Sequence, residues 1–515
     1  MRAWVRRQVG EHPRPEPFDL VLQSPVGLGT GGDAVQGPRR PQEVMGVRER
    51  PAAVLTTDDD FDPLKGGGAA WGVQEWSPFG PGREVTPIPP AQDVRDWISS
   101  PSGRHRPPRF EVLQCQGMPL SLYLHIPFCT VRCSYCDFNT YAGLETLIGP
   151  YARALAAEVR HVGAARPEDF DGRVHTVFFG GGTPSLLTVE QLAIVMEAVR
   201  GSFEVLPDAE VTLEANPGTV DPVSLAGYRG LGVNRLSFGV QSAQPSELQL
   251  LDRLHTFGQV VEAVAWARQA GFDNLNLDLI YGLPHQSLPA WKDTVERTLA
   301  LGPDHLSMYA LTLEFGTPMQ VWVERGLLPE PDSDEAADMY EWAGETLRDS
   351  GFAQYEISNW AKLRPGEAAS ETAPLRACLH NLQYWRNLPY LGLGAGAHGF
   401  AAGWRYSVTR SPRAYLQRMA GTTAPLFPFS PAVEGTHPVS PDVEVGETMM
   451  LGMRLTGEGV GEEDFQRRFG QPLKERYSTE ILRLSELGLI ERTGGRVRLT
   501  RRGRLLGNQV FAAFL

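Results

Sequence analysis

The sequence predicts an α/β protein whose main body is a full or partial (β/α) barrel, followed by a smaller helical, winged-helix-like domain. Two observations carry this. Short apolar runs alternate with segments of helical period over some 250 residues, and the last 70 residues switch to helices around one β-hairpin.

Taken in chain order, residues 1–117 are rich in Pro, Gly and Arg, with runs such as GLGTGG and KGGG and no sustained period. Such a segment buries too little apolar surface to offset its ordering entropy, so disorder is expected there. The change at Met118 is abrupt, and a translation start at Met118 is an equally plain reading of it.

From Met118 the β-like runs are SLYLHIPF, VHTVFFGG, AEVTLEANP, RLSFGVQ, NLNLDLIYG, HLSMYALTLE and QYEISNW. Between them lie PYARALAAEVRHVGA, TVEQLAIVMEAVRG and FGQVVEAVAWARQAG, with apolar residues at i, i+3, i+4 and i+7. Repeated βα units imply a parallel sheet, and six or more in succession imply a barrel, whose chemistry sits at the carboxyl ends of the strands. Gly180 to Thr183, Glu214, Gln241 and Asp278 all fall at or just after the end of an apolar run. This body is expected to span 118–420. The stretch 421–442, GTTAPLFPFSPAVEGTHPVSPD, is proline-rich and expected to be an irregular linker. Residues 443–515 read as helices, then LIERTGGRVRLT with Gly494 and Gly495 at a hairpin turn, then a last helix. Arg492, Arg496, Arg498, Arg501, Arg502 and Arg504 invite a DNA-binding reading of that domain, but a net charge of −13 favours a solvated basic face and argues against nucleic acid as a partner. No stretch reaches the length of a membrane span or a signal-peptide core, so a cytoplasmic protein is expected.

Three of the five cysteines, Cys129, Cys133 and Cys136, are spaced C-x3-C-x2-C directly after a strand, while Cys115 and Cys378 stand apart. Three thiolates on one loop suit an iron–sulfur cubane and leave one iron open to another ligand. A zinc site completed by Cys115, a histidine or Cys378 is the alternative.

The spacing, with Tyr135 before the third cysteine, resembles the signature of the radical S-adenosylmethionine (SAM) superfamily. Gly180-Gly181-Gly182-Thr183-Pro184 is similar to that family's glycine motif. The resemblance implies a [4Fe–4S] cluster on the three cysteines, with SAM on its open iron. YLHIPFC, FFGGGTPS, LEANPG, LSFGVQS, DLIYGLP and YALTLE, in this order, resemble the oxygen-independent coproporphyrinogen III oxidase branch. Within it, Tyr123, Tyr135, Gly181 and Glu214 match positions around the cluster-bound SAM. Gly182, Thr183, Gln241, Arg253, Asp278 and Ala310 match positions around a second SAM in the oxidase. The glycines are expected to let the backbone approach the SAM amine.

Two features point to the HemW-type haem chaperones within this branch. Phe138 stands where the oxidases carry a further cysteine, and His380-Asn381-Leu382-Gln383-Tyr384-Trp385 resembles the HNxxYW motif. This resemblance implies haem as a ligand, with His380, Asn381, Tyr384 and Trp385 at the haem site and His380 on its iron. It also implies a chaperone that passes haem to client haemoproteins and lacks the oxidase activity; oxidative decarboxylation of coproporphyrinogen III is the alternative. Client haemoproteins and an electron donor for the cluster are the implied partners; peripheral contact with membrane haemoproteins and a homodimer are compatible with it. His125, between strand and loop, is expected to bond near the cluster, and His398 lies in a glycine-rich turn, GLGAGAHGF.

Overall fold

A computed structural model describes residues 119–367, 372–421, 424 and 426–515. The expectations for residues 1–117, for a start at Met118 and for Cys115 lie outside the described residues.

Twelve strands form one sheet in the order β12-β11-β10-β9-β1-β2-β3-β4-β5-β6-β8-β7. Its centre comprises β1 (Leu120–Ile126), β2 (Arg173–Gly181), β3 (Glu204–Ala215), β4 (Arg235–Gln241), β5 (Leu275–Tyr281) and β6 (His305–Ala310). These six and β9 (Tyr390–Leu393) run parallel. β7 (Phe352–Glu356) and β8 (Asn359–Lys362) form an antiparallel hairpin at one edge. β10 (His398–Ala401), β11 (Trp404–Val408) and β12 (Val433–Pro438) extend the other edge antiparallel. β7 and β12 do not pair with each other, so the expected barrel is a partial one.

Strand alternation explains both faces. Leu120, Leu122, Leu124 and Ile126 of β1 are fully buried against the helical layer, as are Leu213, Leu236, Phe238, Leu275 and Leu277 on the neighbouring strands. The intervening residues, Ser121, Tyr123 and His125, then Glu210 and Glu214, Arg235 and Ser237, Asn276 and Asp278, turn to the concave face and make it polar. The crossover helices begin at side-chain caps: Thr188 with Gln191, Asp221 with Ser224 and Thr256 with Gln259 form reciprocal boxes. The helix Ile148–Ala165 buries Tyr151, Leu155, Val159 and Val162 on one stripe.

The stretch 421–442 departs from the irregular linker expected of it. Val433–Pro438 is an edge strand paired to β11, and its proline closes the strand where no ladder bond is needed. The body then passes directly into the helix Pro441–Gly452, which opens the C-terminal domain.

That domain has its own core of Met449, Met453, Phe465, Leu473, Leu484, Val497 and Val510. β13 (Val460–Gly461), β14 (Ile490–Thr493) and β15 (Arg496–Leu499) form a small sheet, with Gly494 and Gly495 both at positive φ in the hairpin turn. Its arginines are engaged within the protein: Arg492 pairs with Glu462, Arg498 with Glu491 and Arg501 with Glu345, while Arg504 bonds Gln354 and Arg502 the Leu487 carbonyl. Arg496 bonds the Glu458 carbonyl and approaches Asp464.

Candidate cluster and SAM site

The loop Pro127–Tyr141 leaves the carboxyl end of β1 and carries Cys129, Cys133 and Cys136, all half-buried. It is closed at its base, where Cys129 N donates to Tyr141 O at 3.0 Å and Tyr141 N to Pro127 O at 2.7 Å. Its tip is tied across the barrel mouth: Ser134 Oγ donates to Leu250 O at 2.9 Å, and Met319 N to Ser134 O at 3.0 Å. Tyr135 packs into the apolar group of Leu251, Ile280, Leu283 and Met319. Thr183 Oγ1 lies 3.5 Å from Cys129 Sγ and Arg253 Nη1 3.8 Å from Cys133 Sγ, so a hydroxyl and a guanidinium donate towards two sulfurs. Burial pushes the Cys136 thiol up to about 11 and also raises Cys129. Only a bound metal would deprotonate such thiols at neutral pH.

The residues fit a cubane. Among the described residues no three His, Cys, Asp or Glu side chains are gathered closely enough to share one metal ion, as zinc would require, whereas a cubane takes each thiolate on a different iron. A cubane on these three thiolates would keep one iron without a protein thiolate.

The glycines have a packing role. At Gly182, a Cβ would fall 2.6 Å from Phe128 O and 2.8 Å from Ile126 O, and Gly182 N donates to Ile126 O at 2.8 Å. At Gly181, with φ of +113°, a Cβ would strike the His125 ring at 2.4 Å. Bare backbone is thus needed to lock β2 against β1 and the cluster loop. His125 is central to that lock: its Nε2–H donates to Asn139 O at 3.0 Å, so its Nδ1 accepts from Tyr123 OH at 2.9 Å. Burial lowers its pKa to about 4, which keeps the ring neutral.

Glu214 ends β3 beside this lock. Its Oε2 accepts from Gly181 N at 3.0 Å, while Oε1 takes no hydrogen bond among the described residues and is free for an ammonium. Burial, then the charge of Asp278, raises its pKa to about 7. Asp278 is more fully satisfied, with Ser237 Oγ at 3.0 Å on one oxygen and Asn276 Nδ2 at 2.8 Å on the other. Gln241 sits at a bulge in β4 with φ of +67° and is buried. Arg253 Nη2 donates to Asn216 Oδ1 and Gly239 O, both at 2.5 Å, and its Nε is buried without a partner. Ala310 is exposed at the end of β6. The structure therefore gathers the cysteines, Tyr123, Tyr135, Gly181, Gly182, Thr183, Glu214, Gln241, Arg253, Asp278 and Ala310 at one end of the sheet. Asn139 and Asn216 belong to the same framework and were not singled out in the sequence, although Asn216 lies in LEANPG and Asn139 directly follows the cysteine segment.

The HNLQYW segment lies elsewhere. As the helix Leu379–Trp385 it fills the barrel floor, towards the amino ends of β1–β3, where the Glu210 carboxylate accepts from the Leu379 and His380 backbone N–H groups at 3.1 and 3.2 Å. Nothing in the spacing of Glu210 marked this. His380 is 2% exposed, with Nδ1 2.8 Å from Thr176 Oγ1 and Nε2 3.0 Å from Tyr384 OH. Its ring stacks on Phe178 at 5.0 Å, and Phe178 on Tyr123 at 6.2 Å. Asn381 bonds Tyr355 OH, Tyr384 packs on Tyr390, and Trp385 lies under the Arg454 guanidinium. In this arrangement both His380 nitrogens are within hydrogen-bond distance of hydroxyl groups.

Residues 123–298 match the radical SAM superfamily and 439–506 the HemN C-terminal domain. The chain is 39% identical over 403 residues to the haem chaperone HemW of Mycobacterium tuberculosis, covering 78% of this chain and 95% of that protein. The chain belongs to the HemW family. A second HemW, from Bacillus subtilis, is 36% identical over 398 residues, covering 77% of this chain and 99% of its own. Coproporphyrinogen III oxidase HemN from Escherichia coli shares the fold, with a TM-score of 0.63 at 23% identity over 77% of this chain and 90% of its own. The HemW-type resemblance read from Phe138 and HNLQYW is thus borne out, as is the radical SAM fold with a separate C-terminal domain.

Proposed function

We propose that the protein carries haem and delivers it to client haemoproteins, holding a [4Fe–4S] cluster and SAM at the barrel mouth. A match of 39% identity that covers 95% of a HemW haem chaperone carries the reading. The likeness to the oxidase supports a shared fold alone, and Phe138 supplies no thiol after the third cysteine.

Cys129, Cys133 and Cys136 would hold the cluster. When bound, it supplies an iron with an open position and a one-electron couple. Glu214 Oε1, which takes no hydrogen bond among the described residues, would accept from the SAM ammonium, and the Arg253 guanidinium, fixed by Asn216 and Gly239, sets positive charge beside the sulfurs. Tyr123 and His125 hold the wall behind them. No helix among the described residues is long and apolar enough to cross a membrane, which fits a cytoplasmic carrier meeting its clients at their surfaces.

The test is anaerobic and uses the full-length, cluster-loaded protein. Stoichiometric haem uptake followed by transfer to an apo-haemoprotein is expected, without conversion of coproporphyrinogen III in the presence of SAM and reductant. Formation of protoporphyrinogen IX, or failure to take up haem, overturns it.

A further inference from the structure

We propose that the cleft between the barrel edge and the C-terminal domain binds a small carboxylate with a flat apolar body, its anionic end on Arg504. The proposal goes beyond the haem-carrier reading and does not depend on it.

The cleft has a volume of about 250 Å³. The helix Ser333–Asp349 and β7 contribute to it from the barrel, and the helix Arg501–Leu505 with Gly457 and Glu458 from the C-terminal domain, so both domains supply its walls. An apolar cavity of roughly 150 Å³ takes benzene, so this one has room for about two fused rings. Tyr340, Phe352, Tyr355 and Trp360 line it together with Ala353 and Leu505, and most of the lining is apolar. Such a lining with one convergent charged group is the usual make-up of a small-molecule site.

A glycine keeps the cleft open. Gly344 lies inside the helix Ser333–Asp349, where glycine lowers helix stability relative to alanine. It lines the cleft, and a Cβ there would meet nothing within 4 Å. Neither packing nor a left-handed backbone therefore requires a glycine at this position; what its bare backbone provides is space.

The other charges of the cleft are occupied. Arg501 pairs with Glu345 at 2.6 Å and with Glu341 at 3.4 Å, Glu458 accepts from Arg386 at 3.0 and 2.7 Å, and Arg348 lies 3.5 Å from Asp349. Arg504 differs. Its Nη1 donates to Gln354 Oε1 at 2.8 Å, no carboxylate of the described residues pairs with it, and its Nε is buried without a partner. Burial disfavours its charge and holds its pKa below the ordinary guanidinium value. Gln354 is itself fixed, because its Nε2 donates to Tyr340 OH at 2.6 Å and to Ile357 O at 2.9 Å, while Thr456 Oγ1 donates to its backbone carbonyl at 3.0 Å. The guanidinium is thus held by one nitrogen, and its Nε–Nη2 edge remains for an acceptor, the edge that takes a carboxylate as a fork. One free edge balances a single negative charge, and the glutamates nearby oppose a dianion, so a carboxylate fits better than a phosphate. Because the walls come from both domains, occupancy should fasten the C-terminal domain to the barrel by mass action.

Naphthoate, its neutral isostere naphthamide and inorganic phosphate are titrated by calorimetry into the full-length protein. Naphthoate should bind once per chain, with naphthamide and phosphate at least tenfold weaker. Arg504→Met should weaken naphthoate at least tenfold and leave naphthamide unchanged. Gly344→Leu, which fills the cleft and favours the helix, should abolish binding of both without lowering the urea midpoint. Saturating naphthoate should raise the urea midpoint of wild type and leave that of Gly344→Leu unmoved. No naphthoate binding to wild type, equal affinity for naphthoate and naphthamide, or undiminished binding in folded Arg504→Met or Gly344→Leu overturns the site. Phosphate binding tighter than naphthoate overturns the carboxylate assignment.

Discussion

Glu214 should make SAM binding depend on pH within the physiological range. Its carboxyl has a pKa of about 7 in the ligand-free protein, because burial and the nearby Asp278 both penalise the anion. An ammonium binds the anion and not the acid, so each SAM bound below that pH must displace a proton. Roughly a tenth of the carboxyls are ionised at pH 6 and about nine tenths at pH 8, so affinity should rise about tenfold between them. Replacing Glu214 by Gln keeps the acceptor from Gly181 N but removes the charge. A charged hydrogen bond is worth about 1.5–3 kcal/mol, which predicts binding about ten- to a hundredfold weaker and a flat profile. Anaerobic calorimetry in two buffers of different ionisation enthalpy reads the affinity and the released proton together, with the cluster absorbance followed in parallel. A flat wild-type profile with the cluster intact refutes the assignment of Glu214 to the ammonium.

Other predictions are read from packing. Arg405 and Glu447 form an ion pair at 2.6 Å with both side chains almost fully buried, joining the sheet to the C-terminal domain. Glu447→Ala strands the guanidinium and should cost about 3–5 kcal/mol, measured as a lowered urea midpoint of the transition that exposes this interface. His380→Ala removes the ring stacked on Phe178 and two hydrogen bonds; a loss of about 2–4 kcal/mol in denaturant titration is expected, and no loss would contradict its burial. Gly182→Ala pushes a methyl into the Phe128 and Ile126 carbonyls, so iron and sulfide content after reconstitution should fall well below wild type.

Much of this site was legible in the sequence because its chemistry is local. Three cysteines within eight residues can only share a loop, and polar residues at the ends of apolar runs can only line one end of a parallel sheet. The parts that escaped are contacts between elements far apart in the chain. Glu210 bonds a helix some 170 residues later, and Asn139 a strand turn more than 250 residues later. The stretch 421–442 misled because prolines signal irregularity only when the strand they would interrupt is central; at an edge they are tolerated. His380 was marked in the sequence by the HNxxYW resemblance, but its burial was not legible from that segment.

The HNLQYW helix connects two regions. Its amino end is capped by Glu210 and supports the stack His380, Phe178, Tyr123 beneath the SAM site. Its carboxyl end, Arg386 and Asn387, is held by the C-terminal domain: Arg386 pairs with Glu458, Asn387 Nδ2 bonds Thr448, and Arg468 donates to both their carbonyls. Asn387 takes φ of +50° to make that turn, a conformation asparagine tolerates better than other side chains. Two sets of fixed contacts thus hold this helix between the SAM site and the C-terminal domain. Movement of the C-terminal domain would act on this helix as well as on the Arg405–Glu447 and Arg501–Glu345 contacts, which makes Asn387→Ala informative: it should loosen the contact at the helix, and any change it produces in SAM affinity would measure the coupling between floor and mouth.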